Sequence, residues 1–105
     1  MVFEVWSVKL LGGMEKWGEA VKLMKKHGEA VKQHRLVAHY WLLRPSHGEL
    51  NQAMAVVGFR SYDDRNEWYK TWFQETPDSL KTRQEQHASP YLDANSWQMH
   101  QYYEA

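Results

Sequence analysis

Residues 48–65 read Gly48-Glu49-Leu50-Asn51-Gln52-Ala53-Met54-Ala55-Val56-Val57-Gly58-Phe59-Arg60-Ser61-Tyr62-Asp63-Asp64-Arg65. The pair His47-Gly48 breaks the chain ahead of this stretch, and residues 53–59 are apolar with no charge among them. Ser61, Tyr62, Asp63 and Asp64 then supply helix-capping groups just before Trp68 and Trp72. A short apolar run bounded by turn signals predicts a strand buried on both faces, here over residues 50–60. Such a strand needs something packed on each side, and that requirement decides the architecture.

Outward on the C-terminal side, Asp64 as N-cap with Glu67 three residues on resembles a capping box. It opens a helix over residues 64–73 that turns Trp68, Trp72 and Phe73 inward with Tyr69 beside them. Thr76 as N-cap and Pro77 at the first helical position predict a polar third helix to about residue 88, ended by Ser89-Pro90. Residues 96–103 form a last strand.

On the N-terminal side, residues 44–48 are a turn, and Pro45 has no amide to give to a ladder. Before it lies a strand over residues 36–43, with His39, Tyr40 and Trp41 at its centre. The short connection suits a β-hairpin. The chain begins with a strand over residues 2–11, apolar on both faces through Phe3, Val5, Trp6, Val8 and Leu10, and ended by Gly12-Gly13. A helix over residues 14–33 follows. Its apolar stripe is Trp17, Val21, Met24, Gly28 and Val31, at spacings of three and four. Gly18 and Gly28 each weaken that helix by up to about 1 kcal/mol relative to Ala and are expected to permit close packing on the sheet.

The order strand, helix, strand, strand, helix, short helix, strand is the ferredoxin-like β-α-β-β-α-β arrangement, an antiparallel α+β sheet with helices on one face. The uncovered face of such a sheet is polar in a monomer. Here every strand is apolar or aromatic on both sides, so two sheets are expected to pack face to face in an isologous homodimer. The strand edges left over leave room for higher oligomers.

Composition bounds the function. The 105 residues amount to one domain. Without cysteine there are no disulfides, thiolate metal sites or cysteine nucleophile, which fits a reducing, cytoplasmic compartment. Lys plus Arg and Asp plus Glu both number 13, so no global field attracts nucleic acid or an acidic membrane. The lysines of residues 16–32 are interleaved with Glu15, Glu19 and Glu29 and read as a solvated helix face. No run approaches a membrane span, and Met1-Val2-Phe3-Glu4 carries an acid with no basic start, so no signal peptide is expected. Six tryptophans and six tyrosines exceed the needs of one small core and point to a subunit interface or a lined cavity.

Phe3-Glu4-Val5, Gly48-Glu49-Leu50-Asn51, and Phe59-Arg60-Ser61-Tyr62 followed by Arg65 resemble the NIPSNAP family, and the likeness runs over nearly the whole chain. The resemblance implies the dimeric α/β barrel superfamily, which includes proteins similar to cofactor-free monooxygenases, haem-binding proteins and stress proteins. Two positions depart from the family pattern. Trp6 stands where an Arg is common, and Ala55-Val56-Val57 where His-Leu-Trp is common. Trp6 set against small Ala55 would keep a cavity filled.

By analogy with the family's polar Glu-x-Arg, one strand face is expected in the barrel interior: Glu4, Trp6 and Val8; His39, Trp41 and Leu43; Ala53, Ala55 and Val57; Gln98, His100 and Tyr102. Phe3, Val5, Tyr40, Met54, Val56, Trp97 and Met99 then pack against the helices. Glu4, His39 and His100 are the candidate proton-transfer groups, since a carboxylate and two imidazoles in an apolar pocket can titrate near neutrality. Trp6, Trp41, Ala55 and Tyr102 are the candidate ligand contacts. The plainer alternative pairs Glu4 with a histidine and fills the interface with rings, because buried polar groups need partners whether or not they catalyse.

His27 and His34 are seven apart, but no His-x-x-x-His pair or converging carboxylates accompany them, so no metal is expected. No cofactor is expected either; the superfamily resemblance leaves haem on a single histidine, with His39, His87 or His100 as the alternatives. The expected function is binding of a small hydrophobic or aromatic ligand in a barrel cavity, whose catalytic form is a cofactor-independent oxygenase or isomerase. The alternative is a non-catalytic homodimeric scaffold that meets a partner through its groove and residues 78–87.

Overall fold

The structure is a computed structural model and describes residues 1–73 and 77–105. The elements run β1 (Val2–Lys9), α1 (Met14–Lys32), β2 (His39–Leu43), β3 (Gln52–Phe59), α2 (Tyr62–Phe73), α3 (Pro77–Ala88) and β4 (Gln98–Tyr103). Four antiparallel strands stand in the order β2-β3-β1-β4. This is the ferredoxin-like α+β fold expected from the element order. Thr76, expected as an N-cap, and the side chain of Phe73, expected inward, lie outside the described residues. Among the described residues no helix is long and apolar enough to cross a membrane.

Several boundaries move for local reasons. β1 stops at Lys9, and Leu10 makes an isolated bridge to Leu92. β2 starts at His39 rather than residue 36, because the Val37 amide donates to the His34 carbonyl and the Leu36 amide to His34 Nδ1, forming a turn. β3 starts at Gln52, since the Leu50 carbonyl accepts from Arg44 Nη2 instead of a ladder partner. The α2 cap is Ser61 and not Asp64. Ser61 Oγ accepts from the Asp64 amide at 3.1 Å, which makes Asp64 the third helical residue. Gly48 turns the β2–β3 hairpin with φ of 75°, a conformation that favours glycine.

The core lies between the sheet and the helices. Val8, Leu10, Ala53, Ala20 and Met24 form one buried cluster; Val31, Leu36, Val57, Phe59, Trp68 and Trp72 form the other. The α1 stripe is buried at Ala20, Met24, Gly28 and Val31. Gly28 is the glycine that permits close packing: a Cβ there would collide with the Tyr40 ring and hydroxyl. Gly18 has no such role, because a Cβ there would meet nothing within 4 Å.

The registers correct the expected faces. β1 and β3 pair Glu4 with Val57, Trp6 with Ala55 and Val8 with Ala53, so these six share one face as expected. That face is the one the helices cover, the reverse of the packing expected for it. β2 is out of step: Tyr40 pairs with Val57 and Leu42 with Ala55, which leaves His39, Trp41 and Leu43 opposite. β4 is out of step as well. Gln101 pairs with Glu4 and Met99 with Trp6, whereas His100 pairs with Val5 and Tyr102 with Phe3. The uncovered face therefore carries Phe3, Val5, His39, Trp41, Met54, Val56, His100 and Tyr102. It is apolar but open, and β3 is deeply buried toward the helices at Ala53, Val57 and Phe59 and only half-buried at Met54 and Val56. β2 and β4 are the edge strands. Both carry large side chains on each face, so alternation gives no phase, and a one-residue slip exchanges the faces.

Candidate functional site

Glu4 sits in the middle of β1 with its side chain fully buried. An ionised carboxylate out of water is costly unless it is paired and hydrogen-bonded. Three donors meet that need. Arg65 Nε donates to Oε2 at 2.7 Å; the Tyr69 hydroxyl at 3.1 Å and Trp6 Nε1 at 3.2 Å donate to Oε1. Arg65 and Tyr69 are four apart on α2 and therefore share a helical face. The guanidinium lies over the Tyr69 ring, 4.1 Å from its centroid. Burial first, and then the charge of Glu4, push the Tyr69 hydroxyl up to about 12, so it remains a donor at neutral pH.

The carboxylate is thus engaged from within the protein. Its contribution to a binding site runs through Trp6, whose indole it holds by the nitrogen while the ring forms part of a cavity wall. That cavity lies between sheet and helices and has a volume of about 380 Å³. Binding pockets for small organic molecules start near this size, at about 300 Å³. Its sheet wall is Trp6, Ala55, Val57 and Tyr40. Across from them α2 contributes Trp68 and Trp72, whose rings stack at 5.7 Å and 14°. Small Ala55 opposite Trp6 leaves space rather than filling it.

The polar groups of the cavity come from α1 and α3. His27 Nδ1 shares a 2.7 Å hydrogen bond with Thr82 Oγ1, and its ring meets the Trp72 face edge-on at 5.6 Å. Burial first, and then the charge of Arg83, lower its pKa to about 4, so the imidazole is neutral at neutral pH. Arg83, Gln86 and His87 of α3 also line the cavity. Tyr40 closes one side, lying against Gly28; burial and then Glu29 push its hydroxyl up to about 12. Among the described residues no three His, Asp or Glu side chains converge as a metal ion would require.

The residues singled out from sequence divide between the two faces. Trp6 and Ala55 line the cavity, and Glu4 stands behind Trp6. His39 is stacked on Trp41 at 5.2 Å and 11° on the open face, where Phe3 also approaches Trp41 at 6.5 Å. His100 and Tyr102 are exposed on that same face. The structure therefore does not bring Glu4, His39 and His100 together. Of the three histidines named for haem, His87 alone lines the cavity. Arg65 and Tyr69, named above only for the family resemblance and the α2 stripe, and Arg83 and Gln86 were not among the site residues expected from sequence. The spacing of four between Arg65 and Tyr69, and that of three to four among Arg83, Gln86 and His87, are the signals that could have shown them.

No protein-family model matches the chain, and no curated protein sequence matches it. Solved structures do. A NIPSNAP domain protein from Burkholderia xenovorans superposes with a TM-score of 0.76 at 18% identity, over 100% of this chain and 95% of that one. A NIPSNAP family protein from Agrobacterium tumefaciens gives 0.73 at 20% identity, over 99% and 85%. SnoaB, a cofactor-independent oxygenase from Streptomyces nogalater, gives 0.71 at 13% identity, over 98% and 91%. At such identities the likeness establishes a fold: this chain has the ferredoxin-like α+β fold of NIPSNAP proteins and of the monooxygenase-like dimeric α/β barrels.

Proposed function

We propose that the protein is a NIPSNAP-like homodimer that binds a small, flat, largely apolar ligand in the cavity between sheet and helices of each protomer. One observation carries this reading: a cavity of about 380 Å³ walled by aromatic rings, three of them Trp6, Trp68 and Trp72. The space is a cleft that opens to solvent, and a ligand seated in it would take its own apolar surface and that of the rings out of water. Flat rings stack well on indoles. The likeness to a cofactor-independent oxygenase and to NIPSNAP proteins supports the same reading. A scaffold module needs no such cavity, and nothing in the site favours one.

The homodimer rests on the open face of the sheet. Trp41 is 46% and Tyr102 54% exposed there, beside Phe3, Val5 and Val56. Contiguous exposed apolar surface of this kind marks an interaction site. Catalysis would need a proton acceptor in the cavity. His27 is the neutral imidazole there, and its lowered pKa makes it a weak base. The geometry therefore supports binding more strongly than turnover.

The test is a titration with naphthalene-2-carboxamide, a neutral flat probe, read by tryptophan fluorescence and thermal shift. The expected result is saturable quenching and a raised Tm, both lost in Ala55→Phe, whose ring fills the space beside Trp6. Equal binding by the wild type and Ala55→Phe would place the probe elsewhere and end the cavity reading.

A further inference from the structure

The polar lining of the cavity goes further and names the edge that its ligand presents, an inference that rests on the cavity being the ligand site. Gln86 lines the cavity from α3 and is buried, at 9% exposure. Thr82, four residues earlier and so on the same helical face, is buried too and holds His27 Nδ1 at 2.7 Å. The Trp6 indole gives its N–H to Glu4, so it offers the cavity a ring and no donor. The Gln86 amide, in contrast, makes no hydrogen bond among the described residues. Buried polar groups are nearly always paired, with protein, water or ligand. This one borders a space of ligand size. The cavity thus has an aromatic body and one amide whose donor and acceptor are both open.

We infer that the cavity selects flat aromatic ligands with an amide edge, a carboxamide or a ring lactam, which lies against the Gln86 side chain while the rings lie between Trp6 and the Trp68–Trp72 pair. A glutamine amide sets N–H donors beside a carbonyl acceptor. A carboxamide or lactam sets an acceptor beside a donor, so the two edges match in two parallel hydrogen bonds. A ketone or carboxylate offers acceptors alone and turns an oxygen toward the Gln86 carbonyl. A hydrocarbon offers neither. A site whose buried polar group is made to pair rejects the analogue that leaves it unpaired. The ring-lined surroundings strengthen such hydrogen bonds relative to water. His27, one helical turn away across Thr82, adds the ring nitrogen Nε2 that Thr82 does not engage.

The experiment compares naphthalene-2-carboxamide with 2-acetylnaphthalene by isothermal titration calorimetry at neutral pH. The ketone keeps the rings, the carbonyl and the shape, and carries a methyl group in place of the amide nitrogen. The carboxamide is expected to bind more tightly by about threefold to tenfold, the scale of one neutral hydrogen bond. A cavity that reads apolar surface alone gives the opposite order, because the ketone is the more apolar molecule. Gln86→Leu is expected to reverse the preference toward the ketone. Ketone binding as tight as that of the carboxamide in the wild type, or a carboxamide preference that survives Gln86→Leu, overturns the inference while leaving the cavity reading standing. Binding of neither probe overturns both. The wild-type comparison stands whether or not the variant folds.

Discussion

On the helix side of the sheet, Glu4 is fully buried and meets three donors, and Val8, Ala53 and Val57 on the same face are buried too. On the opposite side of the same strands, Trp41 is 46% exposed and leans on His39 and Phe3. Side-chain types do not explain the difference, for both faces are aromatic and both carry ionisable groups. Coverage does. Among the described residues three helices lie on one face and none on the other, so the first face must satisfy its polar groups internally while the second can satisfy them with water or with another copy. Substitutions on the two faces should therefore differ in kind. Those on the helix side should change stability and ligand affinity, and those on the open side should change assembly.

The largest effect is expected at Arg65. Its side chain is 20% exposed and that of Glu4 is 0%, so the carboxylate is the partner that suffers when the pair is broken. Arg65→Met should cost about 3–5 kcal/mol in urea unfolding, because a charge stays buried without its counter-ion. A loss below about 1 kcal/mol would match an exposed pair and would mean that water reaches Glu4.

Acid should next reveal His27. Its pKa is near 6.5 unfolded and about 4 folded. Between those values the unfolded chain binds more protons, so stability is full above pH 6.5 and is lost as pH falls toward 4. The amount is on the order of 3 kcal/mol. Arg83 and His87 of α3 line the same cavity and Trp72 of α2 abuts the ring, so protonation would add charge beside charge. His27→Gln should flatten this limb of the stability–pH curve; an unchanged limb would assign it to other groups. His34 adds to the limb with the same sign, since burial and then Arg35 lower its pKa too.

The two glycines of α1 sharpen the comparison within one helix. Gly28→Ala should cost about 1–3 kcal/mol as Tyr40 is displaced, and should weaken naphthalene-2-carboxamide binding, because Tyr40 is part of the cavity wall. Gly18→Ala should instead stabilise by up to about 1 kcal/mol, since a methyl group there meets nothing. Thermal unfolding of the two variants checks both signs.

The smallest effect on the protomer is expected on the open face. Trp41→Ser, His39→Ala and His100→Ala should leave probe affinity unchanged. Trp41→Ser should shift the sedimentation equilibrium from dimer toward monomer. Loss of probe binding in the His39 or His100 variant would restore the shared polar site expected from sequence.

The sequence shows why part of this was readable. Apolar runs, glycine turns and helical spacing fixed the element order, and the shared face of Trp6 and Ala55 followed from the family resemblance, which the register of the two central strands matches. Tyr40 against Trp41, and His100 against Gln101, offered no such contrast, so β2 and β4 were placed one residue out of phase and half of the expected site landed on the wrong face. Glu4 drew attention as a lone acid in an apolar strand. Its partners Arg65 and Tyr69 lie more than sixty positions away, and only the packing of α2 on the sheet joins them. Serine is the α2 cap because the helix begins at Tyr62, two residues before the start at Asp64 that the capping-box spacing suggested.

The most direct test of the division between the two faces is a native mass spectrum of the protein with naphthalene-2-carboxamide, which reads assembly and occupancy together. The expected species is a dimer that carries one carboxamide per protomer, and in Trp41→Ser a monomer that still carries one. A wild-type monomer that retains none would contradict the assignment of both faces.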